Sequence, residues 1–454
     1  MTVDRTECHQ KRADPVVSQR GSAERERHGA KGALSLLTLL VAYVLFGAFL
    51  VSKMPEGLDS VLVENYVADV IAYFIMTGLA IGIFAKQSFD IFDPILLVSA
   101  IYISLLSLAP IRDIVVDDYE HFGVNTLIFG VKGTVIAVAG YVAFCAGYLL
   151  RWSSRPSRRA SPGTEPPPTV IARRSMLVWA FAFSVVLLSK MASGKGATYI
   201  LSLGLIGDPV ARLAMDAPLG FGSAMAHALI PTAILAAYSV RSRWLVAGVQ
   251  LLTFTILASQ GFRYIVVIFV LAHAYVWYMR RGSKPRLATV ALVLVALVFF
   301  SGVMEFYRGA MRTGGAVEWS QFDEMDIENA IFGNLSIYKT YYGVVHAVPT
   351  LVPYGLGAQM VVYTAVMFVP RFLWPGKPLP PVWDPIRAGV SDYAARAGAA
   401  YPNIGEYYFE FGLFGVVGLM GILGFAAAAL TRRFRHSERL LDLVLYAVVT
   451  TSLF

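Results

Sequence analysis

Residues 126–150 read TLIFGVKGTVIAVAGYVAFCAGYLL, a run whose only charge is Lys132, and the next 24 positions, 151–174, carry six arginines (Arg151, Arg155, Arg158, Arg159, Arg173, Arg174) against a single acid, Glu165. A helix of that length outreaches a hydrocarbon core of roughly 30 Å at 1.5 Å per residue. Lys132 lies within two turns of one end, close enough to snorkel. The arginine-rich stretch is also rich in proline, so it reads as a flexible linker on the positive, cytoplasmic side of a membrane.

The same pattern repeats outward in both directions. Apolar runs occupy roughly 33–51, 66–85, 94–110, 175–192, 223–240, 243–259, 263–279, 287–304, 405–430 and 440–454. Basic connections recur at Arg241/Arg243, at Arg280-Arg281-Gly282-Ser283-Lys284-Pro285-Arg286 and at Arg432-Arg433-Phe434-Arg435. The alternate connection 110–125 is acidic (Asp113, Asp117, Asp118, Glu120). Counting spans between the basic loops puts all of them on one side. The fold class expected is therefore all-α: a polytopic membrane protein of about 10–12 transmembrane helices. Residues 1–31 form a polar cytoplasmic tail too long and too polar for a cleavable signal, and spans one to nine fill 32–304. Composition agrees, with 57% hydrophobic and 15% charged residues among 454; soluble chains average about 25% charged. The net charge of +8 lies largely in loops flanking apolar runs, so it is a topology signal and no nucleic-acid partner is expected. Cys8 and Cys145 support neither a disulfide framework nor a metal site.

Residues 305–404 form a long connection on the outer face, with seven Lys/Arg, eight Asp/Glu and an apolar stretch, 356–373, read as a re-entrant or interfacial helix. Loops of this length are usually functional. No Walker loop, dinucleotide fingerprint, zinc spacing or nucleophile elbow occurs, so neither a cofactor nor a metal is expected. The candidate chemistry is a set of ionisable groups at the outer ends of the spans. Arg263 opens a span where a lone arginine opposes the positive-inside bias. It fits an anion site at a helix N-terminus or a side chain snorkelling to headgroups. Arg308 and Arg312 follow the next span. Arg371, Trp374 and Lys377 sit in the proline-stiffened PRFLWPGKP, residues 370–378, which fits a rigid cationic site or an interfacial anchor. Glu406 and Glu410 share a helix face at i and i+4. Glu406 also complements the helix dipole, and a helix running inward from its outer mouth would put Glu410 about 6 Å deeper. His346 and His227 are spare bases, and His273 reads as a packing residue. Tyr338, Tyr341, Tyr342, Tyr354, Trp374, Trp383, Tyr393 and Tyr401 suit sugar rings or a membrane interface equally.

Three stretches together resemble a known family. Gly261-Phe262-Arg263 opens a span. Tyr354-Gly355 leads into Pro370-Arg371, Trp374-Pro375-Gly376-Lys377-Pro378. Gly405-Glu406-Tyr407, Phe411-Gly412 and Gly415 enter a late span. In that order they are similar to the oligosaccharide repeat-unit polymerases of bacterial surface polysaccharides, the O-antigen polymerase or Wzy type, over roughly residues 255–425. The resemblance implies a GT-C-like membrane glycosyltransferase in the bacterial cytoplasmic membrane. It would transfer an undecaprenyl-pyrophosphate-linked glycan to the next lipid-linked repeat unit at the outer face, without a metal. The implied partners are that lipid-linked oligosaccharide, membrane lipids, and the chain-length regulator and flippase of the same pathway. Pyrophosphate would fall to Arg263, Arg308, Arg371 and Lys377. Base catalysis would fall to Glu406, then Glu410 and His346, and sugar contacts to Tyr341, Tyr342, Trp374 and Tyr407. An O-antigen ligase, a lipid-linked oligosaccharide flippase or transporter, and a non-enzymatic scaffold are the competing expectations.

Overall fold

The computed structural model describes residues 40–55, 57–86, 93–153, 166–192, 220–259, 263–281, 292, 296, 299–300, 303, 336–367, 369, 373–374, 376–378, 380–396, 399–434, 437 and 439–452. The tail 1–31, most of the expected span 287–304 and all of 305–335 lie outside them.

Asp59 opens the first long helix: its Oδ1 accepts from the Leu62 amide at 2.8 Å and its carbonyl from Val63 at 3.0 Å, an N-cap arrangement. The helix therefore starts at Ser60, a turn and a half before the apolar run does. In chain order the elements are α1 (Leu40–Ser52), α2 (Ser60–Lys86), α3 (Pro94–Val115), α4 (Gly130–Ser153), α5 (Pro168–Ala192), α6 (Gly220–Ser239), α7 (Arg243–Ser259) and α8 (Arg263–Arg281). The long connection 305–404 holds α9 (Ile337–Ala347), α10 (a π-type turn Ala358–Tyr363 running into Thr364–Met367), α11 (Trp383–Gly389) and α12 (Asp392–Arg396). Then come α13 (Asn403–Phe434) and α14 (Leu440–Thr451).

The protein is thus helical, and five helices are long and apolar enough to cross a bilayer: Ser60–Ile83, Pro94–Val115, Leu127–Trp152, Pro168–Ser189 and Asn403–Phe434. Leu40–Ser52, Met225–Ser239, Arg243–Ala258 and Leu440–Thr451 are shorter apolar helices. Among the described residues the β structure is one small hairpin, Glu120–His121 against Val124–Asn125, turned at Phe122 and Gly123 with φ of 52° and 78°. α3 runs past Pro110, where the sequence reading ended it. A π-type turn at Ser104–Leu108 comes just before, and Ala109 donates to the Ser104 carbonyl. The wider turn accommodates a residue without an N–H.

Two cores result. One gathers α1–α4, α9, α11, α12 and α13; the other gathers α5–α8 and α14, with Phe434 at the end of α13 joining it. Small residues set the closest approach: Gly147 of α4 meets the Gly421 backbone, and Gly424 of α13 meets the Phe144 backbone. Glycine pairs let helix backbones close together where lipid offers no hydrophobic drive between helices. The basic helix ends converge. Arg432 donates to the Arg151 carbonyl at 2.6 Å, and Arg280 lies 5.3 Å over the Tyr238 ring. One end of the bundle is therefore cationic, as expected of a single membrane face.

Candidate functional site

Gly412 decides the geometry of the end of the bundle away from Arg151 and Arg432, the end that the sequence reading expects to be the outer one. Its φ of 64° and ψ of −155° are accessible essentially to glycine alone, and there α13 doubles back on itself. A straight helix would separate Asn403 from Met420 by about 25 Å at 1.5 Å per residue. Instead the Asn403 amide reaches the Met420 sulfur at 4.0 Å, and the Tyr102 hydroxyl touches both residues. A Cβ on Gly415 would stand 2.6 Å from the Tyr407 carbonyl oxygen, and one on Gly140, midway along α4, would meet both Ile404 and Val416. Residues 403–411 therefore rise from the interior to the outer tip, and 413–434 descend from it. The sequence reading ran the helix inward from 405 and put Glu410 deeper than Glu406; the fold reverses that order. Tyr408 lies beside Lys132 near the outer end of α4, whereas Ile404 lies at Gly140.

The break frees the carbonyls of Phe409 and Glu410, which a continuous helix would spend on residues 413 and 414. Gly355 and Leu356 donate to them at 2.9 and 3.0 Å. The Glu410 side chain, fully buried, completes the joint. One oxygen accepts from the Gly357 amide, the other from Gln359 at 2.7 Å and Met360 at 3.3 Å. Gly357, at φ 93°, starts α10 here. A carboxylate at a helix start satisfies orphan N–H groups and complements the dipole. Irregular backbone of this kind persists in a membrane protein where protein supplies its hydrogen bonds. Tyr354-Gly355 and Gly405–Gly412, more than forty positions apart, become one structural unit. Glu410, a candidate base from sequence, is spent as its clasp.

Glu406 is held differently. It is half-buried, and no hydrogen bond or ion pair engages its carboxylate among the described residues. Its electrostatic neighbours are Glu410, Tyr401 and Tyr407. Tyr407 is half-buried beside Asn403. Trp374 points outward at 42% exposure. Lys377, expected on an open cationic loop, is turned in: its ammonium donates to the Val369 carbonyl at 3.1 Å and sits 5.7 Å over the Tyr363 ring, tying the loop to the end of α10. The stretch 356–373, read from sequence as re-entrant or interfacial, holds α10, tied to α13 by the same joint, with Val361 and Val362 exposed.

Tyr341 and Tyr342, expected to face sugar, are fully buried. The Tyr341 hydroxyl donates to the Gly133 carbonyl at 2.8 Å; that of Tyr342 meets Thr134 at 2.9 Å and Asp69 at 3.5 Å. A helix in a loop buries one stripe like any other, and α9 turns its tyrosines onto α4. His346 stacks on Phe129, rings 3.7 Å apart, half-buried at the rim. Arg308 and Arg371 lie outside the described residues, as does the side chain of Arg263, whose backbone opens α8.

Lys132 reads from sequence only as a snorkelling side chain, and the Lys339 cluster and Asp69 have no role in the sequence reading. Lys132 is exposed at the lip, donating to the Val345 carbonyl at 2.7 Å and lying 5.4 Å over the Tyr408 ring. Lys339 is 2% exposed and bridges Asp113 at 3.0 Å and Asp118 at 3.2 Å. Arg112 and the Tyr338 hydroxyl complete Asp113 at 2.7 and 2.6 Å. Burial and the Lys339 charge push the neighbouring His121, hydrogen-bonded to Thr340, down to about 4. Asp69 is fully buried on α2; Thr134 donates to its Oδ1 at 2.6 Å and its Oδ2 has no partner among the described residues. An acid inside a span was the available signal. No family model matches this chain, and no curated protein or solved structure matches it either.

Proposed function

We propose that the chain is a GT-C-like glycosyltransferase of the O-antigen-polymerase (Wzy) type, extending an undecaprenyl-pyrophosphate-linked glycan by one lipid-linked repeat unit at the outer face of the bacterial cytoplasmic membrane. One observation carries the reading. Two of the stretches that carry the family resemblance, Tyr354-Gly355 and Gly405–Gly412, are joined, with Gly355 donating to the Phe409 carbonyl and Glu410 accepting from Gly357 and Gln359 just beyond, and that joint leaves Glu406 as the acid of the pair not consumed by structure.

In this reading an acceptor sugar hydroxyl attacks the anomeric carbon of the donor. The new C–O bond forms, the bond from that carbon to the pyrophosphate oxygen breaks, and the hydroxyl proton passes to the Glu406 carboxylate, a general base. Charge develops on the departing lipid pyrophosphate and is met by cations at the outer rim. Arg263, Arg308 and Arg371 take that role in this reading, and Lys132, exposed near one end of α4, is a further candidate. Glu410 and Lys377 hold the backbone that carries the site. Glu406→Gln, at equal membrane abundance, is expected to slow polymerisation by about 10²–10⁴-fold, the usual worth of a positioned base, leaving single-repeat glycan on a gel. Long chains of unchanged distribution overturn the role of Glu406. Loss of the protein separates the alternatives: polymerised chains stranded on the carrier mark a ligase, and lipid-linked units trapped on the cytoplasmic face mark a flippase.

A further inference from the structure

At the cationic end, far from this joint, a groove of about 220 Å³ opens between α5, α6 and α14. Its walls are Val170, Ile171, Val178, Leu235 and Leu441. Two of them face outward, Val178 at 50% and Leu441 at 41% exposure, so the groove opens sideways, toward where lipid would lie. Its polar groups are nearly all spent internally. The Thr232 hydroxyl donates to the carbonyls of Ala228 and Leu229 at 2.8 and 3.1 Å, and Ser175 donates to Ala172 at 3.0 Å. Asp442, the acid next to Leu441, accepts from the Ser437 hydroxyl at 2.7 Å. Among the described residues the Arg174 guanidinium remains, exposed at the rim beside Arg173.

We infer that this groove is a binding site for an anionic phospholipid, with the upper methylenes of one acyl chain between α5, α6 and α14 and the phosphate on Arg174. The volume falls below the about 300–1,000 Å³ of pockets that enclose a whole small molecule, and it suits one chain segment entering from the side. The charge selects the head. A guanidinium forks onto phosphate oxygens, and basic pockets between spans on the cytoplasmic side are a recurrent way to hold anionic headgroups. A choline headgroup would bring its own cation to a rim already carrying Arg173 and Arg174. The inference is independent of the reaction proposed above.

The test is native mass spectrometry of the full chain released from vesicles of equal phosphatidylglycerol and phosphatidylcholine. The wild-type protein is expected to retain one phosphatidylglycerol in preference to phosphatidylcholine. Arg174→Gln is expected to cut that preference about fivefold, the effect of one cation near an anionic surface. Arg174→Lys keeps most of it, and Arg173→Gln lowers it less than Arg174→Gln does. Equal retention of the two lipids by the wild-type protein overturns the inference, and this arm needs no variant to fold. Undiminished phosphatidylglycerol retention by Arg174→Gln, or a loss confined to Arg173→Gln, overturns it as well.

Discussion

Replacing Glu410 tests the joint on which the outer end of the molecule depends. The carboxylate is fully buried and accepts from three amides, those of Gly357 and Gln359 closely and that of Met360 at 3.3 Å. A hydrogen bond to a charged group contributes about 1.5–3 kcal/mol net. Two strong bonds at the lower figure give about 3 kcal/mol, and the long third bond adds little. Gln359 and Met360 are only part-buried, so water can rescue part of the loss in Glu410→Ala, which keeps the lower figure appropriate. At 1.36 kcal/mol per decade, about 3 kcal/mol is a rise of roughly 100-fold in local opening. Hydrogen exchange of the purified protein, followed on a peptide covering 354–362, reads that quantity directly. The amides of 357, 359 and 360 should exchange roughly 100-fold faster in Glu410→Ala. Glu410→Gln, which keeps one acceptor oxygen, should show about half the free-energy loss. Exchange of 357–360 unchanged by both substitutions would refute the clasp and return Glu410 to the list of free acids.

Three further outcomes follow from the same contacts. Lys339→Met strands Asp113 in a buried site, although Arg112 and Tyr338 still hold it. A loss of about 3 kcal/mol, the lower end for a broken buried pair, should appear as a lower melting temperature in detergent, and adding Asp113→Asn should recover part of it. Gly412→Ala forces a side chain into φ 64°, ψ −155° with Tyr354 ring atoms 3.1 Å from the new Cβ. The cost is about 1–3 kcal/mol, and Tyr354→Ala in the same chain should relieve only the steric part. His121 is neutral in the fold down to about 4, below its ordinary value near 6.5. Between those values the unfolded chain binds more protons, so this contribution is complete above about pH 6.5 and is lost as pH falls toward 4. Asp113 and Asp118 oppose the shift and Lys339 enforces it. Melting curves at pH 7 and pH 5 should converge in His121→Gln relative to wild type; an equal acid-induced drop in both proteins would count against it.

The membrane character was legible residue by residue, because it depends on quantities local to the chain. A run such as 126–150 must be helical wherever water is absent, and the arginines after it mark a side whatever the helices do next. The convergence of Arg151 with Arg432 agrees with that reasoning. Helix starts are less legible from an apolar run alone, because the cap, here Asp59, lies outside it.

The candidate site was legible as a set of residue types and illegible as an arrangement. The stretches 354–355 and 405–412 stand out in sequence, but spacing cannot say that Gly412 turns a helix back on itself. That reversal swaps the depths of Glu406 and Glu410, and it converts one of two equivalent-looking acids into a backbone clasp. Likewise α9 reads as an aromatic surface until α4 covers Tyr341 and Tyr342, and Lys377 reads as a free cation until the Val369 carbonyl takes it. Sequence by itself determined hydrophobicity, charge bias and the presence of acids and cations at the outer end, because solvent transfer acts on each segment separately. Tertiary structure alone decided which polar groups are already satisfied, because a hydrogen bond requires a partner that can stand anywhere in the chain.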